Sequence, residues 1–295
     1  MKSQFHLQLP GVFFEVRCEA GIEIVESRPL YREFVSGSGE GGFVVPVNIR
    51  VGTPRLDEAW PVVFESGDTW SLFRDGEDLV AAFPSPTQPG AFWWMARLTS
   101  RDPSVDLECD PEIIRQTDSV TQIVNPLHYP LDQILTMMIL SIRGGCIVHA
   151  AGVHRGGNGL ACIGRSGAGK STLMRLLERR TDLGRLSDDR LILVRGKPAT
   201  VSGTPWAGEG MVAANETAQL AALVFLHQGD DHELRAIEPR EAAAQLLPTT
   251  SIPWFDEPSM TGCMATLDHL VRNIPSYNLV FRLDDGVSDL IDHLI

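Results

Sequence analysis

Over the N-terminal third of the chain, apolar and polar positions alternate in short runs that Gly, Pro and Asp interrupt. Residues 13–17, 22–25, 43–49, 70–74, 79–83 and 92–98 carry a period of two, with Asp75-Gly76 and Gly67-Asp68 as turns. This pattern predicts a mostly antiparallel β module. Trp60, Trp70, Trp93 and Trp94 fall at sheet spacing within it and are expected in its core. The stretch from Asp102 to Pro130, rich in Pro, Asp and Thr, reads as a surface connector and places a domain boundary near residue 115. The expected domains are 1–115, for recognition or support, and 116–295, for chemistry.

Beyond the connector the period lengthens. Ile134, Leu135, Met138 and Ile139 share one face of a helix over about 131–142, which ends at Arg143-Gly144-Gly145. Two strands, 146–153 and 160–163, follow around Arg155-Gly156-Gly157-Asn158-Gly159, a hairpin-like join that implies antiparallel strands beside a parallel core. Leu173, Leu176 and Leu177 then mark a helix over about 170–180. Strands at 222–227 and 233–237, helices at 239–247 and 258–273, a strand at 277–283 and a closing helix at 287–294 complete the pattern. Asp284-Asp285 reads as the cap and first-turn charge of that last helix, and Trp254 and Phe255 as anchors of a connector to the core. The fold class is α/β, α+β overall, with a mixed sheet in the C-terminal domain.

The strongest chemical signal lies between the second hairpin strand and its helix, in GRSGAGKST. Residues 164–171 fit G-x-x-x-x-G-K-[ST], in which small residues let successive backbone N–H groups face one concavity that wraps a phosphate chain. The loop residues Gly164, Arg165, Ser166, Gly167, Ala168 and Gly169 would cradle the nucleotide together with Lys170, Ser171 and Thr172. Lys170 suits the β/γ-phosphates and the Ser171 hydroxyl suits Mg²⁺, so ATP and Mg²⁺ are the expected cofactors. His149 lies one hairpin earlier and could flank the phosphates. An acidic doublet, Asp188-Asp189, stands about 18 residues past the lysine at the mouth of a β run. Near Mg²⁺ and a γ-phosphate, one such carboxylate can bind the cation while the other takes the proton of an attacking hydroxyl. The chain has no N-K-x-D for guanine and no LSGGQ-type signature, which disfavours a switch GTPase and a transporter ATPase.

Charge and cysteine content narrow the class. A formal net charge of -13 over 295 residues argues against a nucleic-acid partner, and the local basic excess sits at the loop and its helix, with Arg165, Lys170, Arg175, Arg179 and Arg180. The five cysteines are scattered, never in C-x-x-C spacing, which suggests a reduced cytoplasmic setting. Neither the start of the chain nor residues 134–142 offers a signal-peptide or membrane-spanning run, so no membrane partner is expected.

Taken together, His149-Ala150-Ala151-Gly152, GRSGAGKST and Ser187-Asp188-Asp189-Arg190 resemble the catalytic domain of HPr kinase/phosphorylase and, more closely, HPr-kinase-related peptide-serine kinases such as those of lasso peptide clusters. The resemblance covers roughly 131–295 and implies a nucleotide core like that of the ATP-type phosphoenolpyruvate carboxykinases. It implies roles for His149 and Asp188 around the transferred phosphoryl group and a Mg²⁺ contact from Glu209. With the readings of the loop and the doublet, the expected catalytic residues are His149, Asp188, which would take the acceptor proton, and Asp189, and the expected metal contacts are Ser171, Asp188, Asp189 and Glu209. The chain departs from the family at Arg165, where an acidic residue is usual, and at Ser171-Thr172, where Ser-Glu is usual. No counterpart of the stretch tied to the phosphorylase reaction and HPr binding is recognisable. The implied activity is an ATP- and Mg²⁺-dependent kinase acting on a hydroxyl, foremost a serine of a peptide or small protein. The alternative is a nucleotide-responsive ATPase switch that regulates a bound partner. Homo-oligomerisation is compatible with the sequence, which does not fix it.

Overall fold

The computed structural model describes residues 4–36, 42–67, 69–99, 103–117, 120–282, 284 and 286–295. Asp68, Asp102, Leu283 and Asp285, named above in turn, connector, strand and cap, lie outside these. The chain is α+β with mixed and antiparallel sheets. It divides into two compact units, Met1–Thr136 and Met137–Ile295.

In the first unit nine strands form one sheet, running Val35–Ser36, Gln4–Leu9, Val12–Cys18, Phe43–Val51, Val105–Cys109, Phe92–Leu98, Asp78–Pro84, Trp70–Asp75, Val62–Ser66. Most neighbours are antiparallel, as the turn-rich sequence implies; Phe43–Val51 is parallel to both of its partners. Its buried faces are built from aliphatic and phenyl groups, including Leu7, Phe14, Ile49, Leu72 and Leu107, and Phe34 is buried in the 3-10 turn Pro29–Phe34. The tryptophans differ from expectation. All four are only half-buried. Trp60 lies under the Arg97 guanidinium, 5.2 Å from its ring centre, and Trp70 lies against Phe64, which leaves the core to smaller groups that interdigitate closely.

The unit boundary also moves. Thr121–Val124 pairs in parallel with Ile22–Val25 and antiparallel with Ile114–Gln116, so the segment expected as a connector is a second, three-stranded sheet of the N-terminal unit. Its exit is pinned by Asn125, whose Nδ2 donates to Glu26 Oε2 (2.8 Å) and to the Leu127 carbonyl (3.0 Å). Tyr31 adds a further tie: its hydroxyl donates to buried Asp132 at 2.7 Å and accepts from the Tyr129 N–H at 3.0 Å. Burial first, and then the Asp132 charge, push the Tyr31 phenol far above its ordinary range, so it stays a donor at every working pH. Tyr31→Phe is expected to cost about 1.5–3 kcal/mol, the range for a hydrogen bond to a charged group, read as a lower urea midpoint at unchanged slope.

In the second unit the sheet runs Asn158–Ile163, Gly145–Arg155, Arg190–Val194, Thr200–Ser202, Thr217–Gln228, Ser276–Phe281, Glu233–Ala236. Asn158–Ile163 also pairs in parallel with Thr217–Gln228, which closes the first five strands on themselves. Alternation along each strand separates two cores. Val148, Ala150, Ala161 and Phe225 face Ala242, Leu246, Cys263 and Leu270, on the helices Pro239–Leu246 and Glu257–Asn273. Ala151, Val153, Cys162 and Val224 face Leu173, Leu177, Val287 and Ile291, on Lys170–Leu177 and Val287–Asp292. The hairpin and its mixed surroundings therefore hold the loop after Ile163 between two packed layers. Trp254 is 65% exposed and does not anchor its connector. Asp284 accepts from His232 Nε2 at 2.6 Å and from the Gly286 N–H at 3.1 Å.

Candidate functional site

The loop from 164 to 169 leaves a buried strand and enters the eight-residue helix Lys170–Leu177. Its turn is possible because Gly167 and Gly169 take left-handed backbone angles, φ 83 and φ 101. A Cβ on Gly169 would also stand 2.8 Å from Phe281 Cζ. Gly169→Ala is expected to cost a few °C in Tm and at least about tenfold in ATP affinity, because strain and the phenyl contact push the loop outward; thermal unfolding and an ATP titration check this. Lys170 is 7% exposed, and its Nζ donates to the carbonyls of Gly164 (2.8 Å) and Arg165 (3.3 Å), folding the loop over its own helix. Burial lowers the Lys170 pKa, with Asp189 opposing that shift and Arg190 adding to it. Gln228, at the end of the parallel strand Thr217–Gln228, donates from Nε2 to the Gly167 carbonyl at 2.7 Å.

His149 stands in register opposite Arg190, and its neighbour Ala150 opposite Ile163, so the strand Gly145–Arg155 carries it to the edge of the loop. Its Nε2 is 2.7 Å from Asp189 Oδ1, and Arg190 Nη1 is 2.9 Å from Asp189 Oδ2. Burial raises the Asp189 pKa, but the His149 hydrogen bond and the charges of Arg190, His149 and Lys170 outweigh it and lower the net value. The carboxylate is thus held ionised. Ser187 shapes the turn, its hydroxyl accepting from the N–H groups of Asp189 and Arg190, both at 3.3 Å.

Asp188 faces a different way. It is 2% exposed, and its carboxylate accepts from the N–H of Gly208 (2.9 Å), Gly210 (2.6 Å) and Val212 (3.3 Å). It therefore fixes the 208–212 loop, in which a Cβ on Gly210 would stand 2.7 Å from Asp188 Oδ2. That loop presents Glu209, which is exposed and whose carboxylate pairs with no described residue. Met211, beside it, is 62% exposed at φ 54.

These groups meet in one cavity of about 390 Å³, bounded by His149, Ser166, Gly167, Gly169, Lys170, Ser171, Thr172, Asp188, Asp189, Gly208, Glu209 and Gln228. A second cavity of about 560 Å³ adjoins the loop, sharing Ser166, Gly167 and Gln228 with the first and lined also by Gly164, Arg165, Ala168, Phe225, His227, Gln245 and Thr249. Of the residues selected from sequence, Gly164, Arg165 and Ala168 line only the second cavity, and the others line the first. Sequence reasoning missed Gln228 and gave Arg190 no role. The position of Gln228 at the carboxyl end of a strand parallel to the loop strand is a general signal for a ligand-facing residue, but the pairing itself was not readable.

The donor set suits a phosphate-bound Mg²⁺, which takes one or two protein oxygens and completes its octahedron with phosphates and waters. Ser171 is exposed at the helix start, and Glu209 and ionised Asp189 border the same cavity. Among the described residues, no group of three or more His, Cys, Asp or Glu is placed to hold a metal by itself. Comparison with protein-family models and with curated proteins gives no match.

Proposed function

We propose that the second unit is an ATP- and Mg²⁺-dependent phosphotransferase of the HPr-kinase-like kind, moving the γ-phosphoryl group onto a hydroxyl, foremost a serine of a peptide or small protein. The observation that carries this reading is the opening of Lys170, Ser171 and the His149–Asp189 pair into a single cavity with the phosphate loop. The loop N–H groups and Lys170 hold the triphosphate. Ser171 and the Glu209 carboxylate would hold Mg²⁺, which would supply neutralising charge there.

The proton-accepting role passes from Asp188 to the His149–Asp189 pair, because Asp188 has both oxygens on backbone N–H groups. With Nε2–H donating to Asp189, the other ring nitrogen, to which no described residue hydrogen-bonds, is free to take the acceptor proton. The acceptor oxygen forms its bond to γ-phosphorus as the bond to the bridging β–γ oxygen breaks, and ADP leaves. Arg190 keeps Asp189 charged, and Asp188 acts as a positioning residue that sets Glu209.

Because the Asp189 pKa lies below its ordinary 3.8 in the folded chain, its pairing stabilises the site above that value and is lost as pH falls through the lower folded value. The site should remain assembled, by near-UV circular dichroism, from pH 7 to about 5. The experiment for the function itself uses γ-labelled ATP, Mg²⁺ and an extract of the source cell, with mass spectrometry to find the label. Label on a discrete peptide, protein or small hydroxyl compound supports the kinase. Label found only as free phosphate favours the ATPase switch.

A further inference from the structure

The first unit holds a separate cavity of about 280 Å³, with Trp93 and Trp94 in its wall beside Ile113, Val124 and Pro126. Its polar rim is Arg28, Glu112, Arg115, Asn125 and His128. Most of these groups are already engaged. Arg28 is paired with Glu26, Nη1 to Oε1 at 2.9 Å, and donates from Nη2 to the Asn125 carbonyl at 3.0 Å. The Glu112 carboxylate accepts from Thr87 Oγ1 at 3.1 Å and from Gln88 Nε2. Arg115 is different. Its guanidinium is exposed, borders the cavity and pairs with no described residue, in a chain whose formal net charge is -13.

The walls carry a second mark. The two rings lie against each other, with centres 5.7 Å apart and planes 32° apart, and the indole nitrogens of both Trp93 and Trp94 are buried without a hydrogen-bond partner among the described residues. His128 stands edge-on to Trp94, ring centres 5.7 Å apart, with Nδ1 2.6 Å from the Tyr129 carbonyl. Burial, and then the Arg28 charge, lower its pKa to about 4, so near neutral pH the ring is uncharged; with Nδ1–H on that carbonyl, Nε2 is left as an acceptor.

An unpaired cation beside flat aromatic walls selects one ligand chemistry. We propose that this cavity binds a carboxylate carried on a flat apolar group, with Arg115 taking the carboxylate and Trp93 and Trp94 stacking on the flat group. The inference goes beyond phosphotransfer and does not depend on it. Such a ligand is either a free aromatic acid or the C-terminal aromatic residue of a peptide.

Isothermal titration of the full chain tests this with four probes: phenylacetate, phenylacetamide, an N-acetylated Gly-Gly-Phe peptide with a free C-terminal carboxylate, and its C-terminal amide. At least one acid should bind about tenfold or more tightly than its amide. The preference should disappear in Arg115→Ala, an exposed position whose loss leaves the circular dichroism unchanged, and should shrink at high salt. Trp94→Phe should weaken acid and amide alike by several-fold. A peptide acid that binds about tenfold better than phenylacetate assigns the site to a chain end; equal binding assigns it to a small acid. The proposal is overturned if acids bind no better than amides, if no probe binds, or if Arg115→Ala keeps the preference.

Discussion

Lys170→Ala is expected to lower phosphoryl transfer by about 10²–10³-fold, the usual loss when one preorganised donor to a developing charge is removed. The site explains the size. The ammonium is 7% exposed, lies within reach of Gly164 and Arg165 carbonyls, and feels both Asp189 and Arg190, so it acts in a poorly screened environment where a charge counts for more than at the surface. A surface lysine would give a far smaller effect. ATP affinity should fall by at least about tenfold in the same variant. Steady-state transfer and a nucleotide titration measure both effects, with circular dichroism to show that the two cores around the loop are intact. Wild-type transfer rates in this variant would remove the loop from the chemistry.

Asp188→Asn should act mainly on structure. One carboxylate serves three backbone N–H groups on the 208–212 loop from a position only 2% exposed. An amide keeps one acceptor oxygen and turns an NH₂ toward another donor, so at least one buried N–H loses its partner. The expected cost is about 3 kcal/mol, the upper range for a lost charge-assisted bond, read as a lower urea midpoint for the second unit. Transfer should fall as well, because Glu209 is carried by the loop that Asp188 holds. Asp189→Asn should behave in the opposite way. At 30% side-chain exposure its loss should change stability by less than about 1 kcal/mol, while transfer drops about 100-fold. If Asp188→Asn is as stable as wild type and Asp189→Asn unfolds, the two roles are reversed.

The parts of this account that were legible in the sequence are local ones. The loop is legible because Gly167 and Gly169 serve its backbone geometry while Lys170 and Ser171 complete a phosphate-loop pattern within a few residues, and the hairpin before it follows from the Gly-rich turn at 156–159. Its consequence, a sheet mixing parallel and antiparallel neighbours, was readable too. Non-local pairing was not. Thr121–Val124 looks like connector because its partner, Ile22–Val25, lies about a hundred residues away, and Pro and Asp around it mask a short strand. The division of labour within Asp188-Asp189 was equally hidden. Adjacent strand-mouth residues point to opposite sides, so one side chain meets His149 and the other the 208–212 loop, but the order depends on a turn that Ser187 sets. Composition misled at the tryptophans. Their size suggests core, yet a core packed with Leu, Ile and Phe leaves Trp93 and Trp94 to line a cavity.

The central claim is that the His149–Asp189 pair, beside the phosphate loop, takes the proton of an acceptor hydroxyl. Single-turnover transfer from γ-labelled ATP, followed in wild type and Asp189→Asn with ATP affinity measured in parallel, tests it most directly. The predicted result is label on a hydroxyl acceptor in the wild type, a transfer rate lower by about 100-fold in the variant, and ATP affinity within about threefold. Full transfer by Asp189→Asn, or label released only to water by the wild-type chain, would contradict it.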